Sequence, residues 1–242
     1  MPELPEVETI RRQLAQKIIG KKLNSREIIK KVRRRAKILI IDLDDGSSLI
    51  FHLKLTGQLI FNGQSSKHTR KVFNFKDGDC LIFNNVRKFG WWKRVKDTKK
   101  IEEEFGPEPL TLNFKTFKKL LLKRSRSKIK PLLMNQKFIA GIGNIYSDEI
   151  LFEAKIHPLR LVKSLKLNEI ERIFKAIKKI LKTAIKYQGS SSRDYLDVYG
   201  QKGNYVKYHQ AYHQTNCSRC KTKIKKIKLA GRSAHFCPKC QI

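Results

Sequence analysis

Acidic residues are scarce in this chain: 21 aspartates and glutamates stand against 54 lysines and arginines among 242 residues, a formal charge of +33. That imbalance exceeds what solubility asks for and points to a polyanionic partner, with nucleic acid the first candidate. Part of it is solvated helix surface, as at Lys175, Lys178, Lys179, Lys182 and Lys186. Long apolar runs are missing as well. No stretch of about 18 apolar residues could span a bilayer, and no early segment resembles a signal peptide, so a cytoplasmic protein without a membrane partner is expected. Cysteine is used sparingly: five residues, four of them in two close pairs near the C-terminus, fit a metal site in a reducing compartment better than a disulfide framework. The fifth, Cys80, is expected in a buried strand. Internal repeats are absent. Apolar content is ordinary at 40%, with 9% aromatics, which argues against disorder.

The paired cysteines carry the most specific spacing. Cys217 and Cys220 are followed, after sixteen intervening residues, by Cys237 and Cys240. Two tight turns of this kind bring four thiolates to one tetrahedral zinc ion. With no fifth ligand in view, the zinc is expected to be structural, and its binding to stabilise a segment too short to fold on its own core. His235 is expected on the hairpin surface. Lys223, Lys225, Lys226, Lys228 and Arg232 make the stretch between the pairs basic, suited to phosphates.

Elsewhere the periodicity changes along the chain. Val7, Ile10, Leu14 and Ile18 recur at helical spacing before Gly20, predicting a helix over residues 5–19. Strand-like runs follow at 38–43, 48–53, 71–75, 80–83 and 91–95, separated by turn signals at Asp45-Gly46, Asn62-Gly63 and Asp77-Gly78. Beyond Gly106-Pro107 the pattern is helical, at about 114–123, 129–138, 145–153 and 167–187, and residues 190–216 read as a loop before the cysteine module.

The first residues combine a nucleophile with acids. Once an initiator methionine is removed, Pro2 presents a secondary amine, followed by Glu3 and Glu6. Such an amine can attack an aldehyde-like carbon and collapse to an iminium ion, and an α-amino group titrates at roughly 7.7–8.0, so a useful fraction is unprotonated near neutrality. Pro5 and Glu6 also suit the first turn of a helix, which would then place the nucleophile.

This opening strip resembles the formamidopyrimidine-DNA glycosylases, base-excision repair enzymes. The resemblance spans nearly the whole chain. It implies an α+β fold: a β-sandwich-like N-terminal domain with an N-terminal helix (1–108), a helical helix-two-turns-helix domain (109–192), a lesion-recognition loop and linker (193–214), and a C-terminal zinc-finger hairpin (215–242). By resemblance, Pro2, Glu3, Glu6, Lys37 and Arg232 are the catalytic residues. His52, Leu55, Arg87, Phe89, Lys130 and Asn144 would hold the DNA, with Leu55, Arg87 and Phe89 filling the gap left by a flipped nucleotide. The implied activity is excision of oxidised purines such as 8-oxoguanine and formamidopyrimidines, coupled to β,δ-elimination at the abasic site through a Schiff base on Pro2. One structural zinc, no catalytic metal, a monomer and damaged double-stranded DNA as partner complete the expectation. Leu4-Pro5-Glu6-Val7-Glu8 favours this over the related endonuclease VIII type, which takes oxidised pyrimidines, and Pro2 with Glu3 argues against a non-catalytic DNA-binding zinc protein. Against the family pattern, the region near residues 29–33 is short, apparently lacking a strand and loop, and Asn85-Val86 replaces the usual acidic-Pro pair before Arg87.

Overall fold

A computed structural model describes residues 1–191 and 194–242. The chain divides into two compact units, one of residues 1–103 with 184–206, the other of residues 104–183 with 207–242. Ser192 and Arg193, where the boundary between the second and third expected domains falls, lie outside the described residues.

The first unit opens with helix α1 (Leu4–Ile18). Its start is set by a capping box, in which the Glu3 side chain accepts from the backbone of Glu6 while the Glu6 side chain accepts from the backbone of Glu3. Leu4, Val7, Ile10, Leu14 and Ile18 form its fully buried face, each worth about 1.5–3 kcal/mol of apolar transfer. Gly20, at φ +84°, turns the chain away after the last helical residues.

Strands β1 (Ile29–Arg35), β2 (Ile38–Leu43), β3 (Ser48–His52), β4 (Gly57–Phe61), β5 (Thr69–Asn74), β6 (Cys80–Asn85) and β7 (Trp91–Val95) follow, then the short helix α2 (Lys99–Glu103). They build two antiparallel sheets, ordered β1-β2-β3-β7 and β4-β6-β5. α1 packs on β1 and β2. Leu39, Ile41 and Phe51 of the first sheet share one core with Leu59, Phe73, Leu81 and Phe83 of the second, and the Phe51 ring meets Phe73 and Phe83 edge-on. Because β2 has apolar partners on both faces, Ile38, Leu39, Ile40 and Ile41 are all buried. Cys80 is only half-buried, at the start of β6.

β1 and β4 carry no clear alternation in the sequence. In Ile-Lys-Lys-Val-Arg-Arg-Arg only Ile29 and Val32 are apolar, and the strand's register with β2 slips at Ile29/Lys31. Its pairing with β2, not its own pattern, makes it a strand.

The second unit contains α3 (Phe114–Leu122), capped by the Asn113 side chain on the Thr116 amide at 2.9 Å, α4 (Ile129–Met134) and α5 (Asn144–Ala154). Helix α6 (Leu167–Lys186) crosses the boundary between the units along the chain. Strands β8 (Lys225–Leu229) and β9 (Arg232–Phe236) pair through the two-residue turn Ala230-Gly231, both at positive φ, as a tight hairpin requires. The helix expected to reach residue 138 stops at Met134. There the Gln136 side chain donates to the carbonyls of Met134 (2.8 Å) and Ile142 (2.7 Å) and accepts from the Gly141 amide (2.9 Å), holding two successive turns between α4 and α5.

Candidate active site and nucleic-acid interface

Pro2 and Glu3 are buried just ahead of α1. Glu6 is the organising group beside them. Its Oε2 accepts from the Glu3 amide at 2.7 Å, and its Oε1 accepts from the Ser190 amide at 2.7 Å, so one carboxylate joins the N-terminal strip to the returning segment of the same unit. Gly189 allows this approach by having no side chain.

Lys37 lies in the two-residue turn between β1 and β2 and is 7% exposed. Ala36, its neighbour, sits at φ +54°, and the Arg34 guanidinium holds the turn by donating to the Ala36 carbonyl at 2.8 Å. Arg34 is fastened in turn to Glu8 at 3.2 Å. Burial alone would raise the Glu8 pKa, but hydrogen bonds from Arg11 and Arg12 and the charges of Arg11 and Arg34 leave it below the ordinary glutamate value. The helix that follows Pro2 and Glu3 is thereby tied to the turn that carries Lys37.

His52 ends β3 opposite Ile38 and Trp91. Burial, with the charges of Lys54 and Lys37, pulls its pKa down to about 3. Its Nδ1 accepts the Lys54 amide at 3.1 Å, which assigns the proton of the neutral ring to Nε2. The chain then turns sharply at Gly57, where a Cβ would lie 2.6 Å from the Leu53 carbonyl oxygen. Half-buried Leu55 precedes that turn.

Arg87 and Phe89 are exposed on the loop between β6 and β7, Phe89 at 56%, with the guanidinium 5.3 Å from the Phe89 ring centroid. Thr56 joins this loop to the Leu55 turn by accepting the Arg87 amide at 3.0 Å, and Asn85 braces the far end by donating to the Gly90 carbonyl at 2.8 Å. Asn85 thus has a defined structural task. Leu55, Arg87 and Phe89 come from adjacent turns of one unit.

In the second unit Lys130 is 1% exposed. Its ammonium donates to Asn144 Oδ1 (2.9 Å), Asp148 Oδ1 (2.7 Å) and the Ser233 carbonyl (2.6 Å), so it gathers α4, α5 and β9. Arg232, next to Ser233, is exposed at the start of β9. His235, expected on the hairpin surface, is instead 4% exposed, because Asp148 receives its backbone amide at 3.1 Å and lies 3.0 Å from its Nδ1. Glu149 secures the approach to the hairpin. It accepts the amides of Gln210, Ala211 and Tyr212 at 2.9–3.0 Å. Burial and the neighbouring Asp148 charge outweigh those bonds and push its pKa up to about 7.

The sulfurs of Cys217, Cys220, Cys237 and Cys240 all lie within 4.8 Å of one another. Cys217 and Cys240 are 3.9 Å apart and Cys220 and Cys237 3.5 Å, close to the roughly 3.8 Å edge of a tetrahedron with metal–sulfur bonds of about 2.3 Å and far from a disulfide bond length. The four thiolates fit one structural zinc ion.

Asp148, Glu149, Thr56, Asn85 and Arg34 are not legible as site residues in the sequence: the first three act through partners 18 to 87 residues away, and Asn85 and Arg34 hold carbonyls of turns that only the fold defines. The acidic pair directly after Asn144-Ile-Tyr-Ser was the available signal for the first two: adjacent carboxylates in a helix of otherwise apolar character call for buried partners.

Known proteins show the same arrangement. The model of the formamidopyrimidine-DNA glycosylase N-terminal domain matches residues 1–31 and 25–92, that of the same enzymes' H2TH domain matches 105–195, and that of the zinc finger found in FPG and IleRS matches 217–242. A formamidopyrimidine-DNA glycosylase of Pelotomaculum thermopropionicum is 41% identical across 100% of this chain and 99% of its own length. Among solved structures, the Lactococcus lactis Fpg bound to DNA with an abasic site superposes with a TM-score of 0.89 at 36% identity, covering 99% of both chains. A MutM bound to DNA containing carbocyclic 8-oxo-G does so with a TM-score of 0.89 at 37% identity and the same coverage. With all three domain models matched in order and the likeness running end to end, the chain belongs to the formamidopyrimidine-DNA glycosylase family.

Proposed function

We propose that this protein is a base-excision repair enzyme that removes oxidised purines from duplex DNA and then cleaves the strand at the abasic site. The observation that carries this reading is the Glu6 carboxylate, which holds the Glu3 amide and the Ser190 amide at 2.7 Å each and so fixes the strip that begins at Pro2. After removal of Met1, the Pro2 nitrogen attacks the anomeric carbon as the bond to the damaged base breaks. Glu3 gives a proton to the sugar ring oxygen, the ring opens, and an iminium remains between Pro2 and the sugar. The iminium acidifies the adjacent carbon, whose proton leaves to a base, and β-elimination followed by δ-elimination releases the phosphates on either side. Lys37, held in its turn by Arg34, supplies a charge for this proton traffic and for the nearby phosphate.

Leu55, Arg87 and Phe89 occupy the space of the extruded nucleotide, Phe89 by entering the stack and Arg87 by hydrogen-bonding the partner base. His52, Asn144 and Arg232 hold the flanking phosphates. The zinc held by Cys217, Cys220, Cys237 and Cys240 shapes the hairpin that presents Arg232. No helix among the described residues is long and apolar enough to cross a membrane. We place the protein on chromosomal DNA as a monomer.

Borohydride trapping on duplexes with 8-oxoguanine opposite cytosine tests the reading. A covalent adduct mapped to Pro2, lost in Pro2→Gly and diminished in Glu3→Gln, is expected. Excision confined to oxidised pyrimidines would reassign the substrate, and DNA binding with no adduct on any lesion or abasic site would reduce the protein to a binder.

A further inference from the structure

Lys130 is a cation that the sequence offers to DNA, yet it is buried and its three donors are spent inside the protein. An ammonium carries three hydrogens and no acceptor. Here they go to Asn144 Oδ1, Asp148 Oδ1 and the Ser233 carbonyl. The partner's chemistry also decides which way Asn144 faces. Only its oxygen can accept from an ammonium, so the Nδ2 hydrogens are turned away from Lys130.

Asp148 stands behind both groups. Its side chain is fully buried; Oδ1 holds the Lys130 ammonium and Oδ2 takes the His235 amide and faces Nδ1 of the same residue. One carboxylate on α5 therefore fixes α4 through Lys130 and β9 through His235, three residues beyond Arg232. Removing one member of such a buried pair leaves the other charge uncompensated, whereas replacing both by apolar groups of similar volume can be nearly neutral for folding.

We propose that Asp148 is a positioning residue for DNA phosphate: through Lys130 it locks Asn144 with its amide hydrogens outward, and through His235 it sets the strand that presents Arg232. Lys130 orders the phosphate site from behind and does not meet the phosphate itself. This inference rests on the reading of the protein as a DNA glycosylase and lyase.

The test uses the full-length, zinc-loaded protein and a duplex with a non-cleavable abasic analogue, with Kd measured across a salt series. A lysine that neutralises a phosphate contributes about −0.9 to the slope of log K against log salt. Lys130→Met is expected to weaken binding about tenfold with the slope unchanged, and Asp148→Asn to do the same. Asn144→Ala added to Asp148→Asn is expected to cost little further, because the two act as one unit. On a natural abasic site, Asp148→Asn should also raise the share of β-elimination product over β,δ-product, a change that lowered stability alone would not produce.

A slope reduced by about one in Lys130→Met would show direct phosphate contact and overturn the proposal. Unaltered Kd in Asp148→Asn, or fully additive losses with Asn144→Ala, would overturn it as well. Should Asp148→Asn lose zinc or fail to fold, the Lys130→Met/Asp148→Leu pair carries the same cycle with Asn144→Ala. Pro2-dependent trapping by the wild-type protein is run alongside; its failure would sink the enzymatic reading while the binding cycle still judges Asp148.

Discussion

Gly189 stands so close to Glu6 that a Cβ at residue 189 would lie 2.7 Å from the carboxylate oxygen Oε1, and its φ of +81° is one that side-chain-bearing residues rarely adopt. That oxygen is the one receiving the Ser190 amide, while its twin receives the Glu3 amide. Gly189→Ala must therefore displace Glu6 and, with it, the strip that begins at Pro2. A shift of about 1 Å in a reacting group can cost roughly a hundredfold in rate. Single-turnover borohydride trapping is expected to fall by one to two orders of magnitude, about 10–100-fold, with the Kd for an abasic-analogue duplex changed by less than about threefold. Comparable losses in rate and affinity would mean that the contact shapes the whole unit and not the nucleophile.

His52 is neutral over the working range, since its pKa is held down to about 3 by burial and by Lys54 and Lys37. The phosphate contact proposed for it is accordingly a neutral Nε2–H hydrogen bond. DNA affinity should show no titration from this residue between about pH 5 and 8, and His52→Gln should leave the salt slope of binding unchanged. The folding linkage has the opposite visibility. A depressed histidine pKa means that the unfolded chain binds the proton first, so stability falls as pH drops below the unfolded value of about 6.5. Urea titrations of wild type and His52→Gln between about pH 4 and 7 would show the variant losing less stability toward the acid end.

Glu149 behaves in the reverse sense. Burial raises its pKa to about 7, above its ordinary value of 4.5, so its contribution is fully present below pH 4.5 and is lost as pH rises through about 7. Glu149→Gln should flatten the change in Tm between about pH 5 and 8. If the two Tm profiles ran parallel, the three amides of residues 210–212 would be stabilising the ionised form fully.

Zinc removal by a chelator under reducing conditions should release one ion per chain and unfold the hairpin, because about 26 residues bury too little apolar surface to stay ordered alone. With the hairpin goes the Ser233 carbonyl on Lys130 and the His235 contact on Asp148. The Kd for abasic-analogue DNA should rise at least about tenfold and recover on adding zinc back. Unchanged binding by the metal-free protein would show that the hairpin does not grip the backbone.

The sequence is most legible where chemistry is local. The Cys217-x-x-Cys220 and Cys237-x-x-Cys240 pairs span single tight turns, and their sulfurs do converge. The α1 stripe is contiguous, so a helix with a buried face, opened by Pro5 and Glu6, followed directly, while the capping box between Glu3 and Glu6 came from the structure. Strands β1 and β4 are not legible in the sequence: β1 has only Ile29 and Val32 apolar and is ordered by its pairing with β2, and β4 is a five-residue strand that turns Leu59 and Phe61 into the core. His235 differs from its expected surface position because long-range packing brings Asp148, 87 residues earlier, beneath it.

The sequence by itself determined the family and the metal ligands and offered Pro2, Glu3 and Glu6 as the proposed nucleophile and its acids, since these depend on which groups are present at what short spacing. Only the tertiary structure decided which charged groups stand exposed and which face each other. Lys130 and Arg232 are both cations in basic stretches. One is buried among Asn144, Asp148 and Ser233, and the other stands exposed on β9, because long-range packing sets the local dielectric and the available acceptors, and these govern what a charge can do.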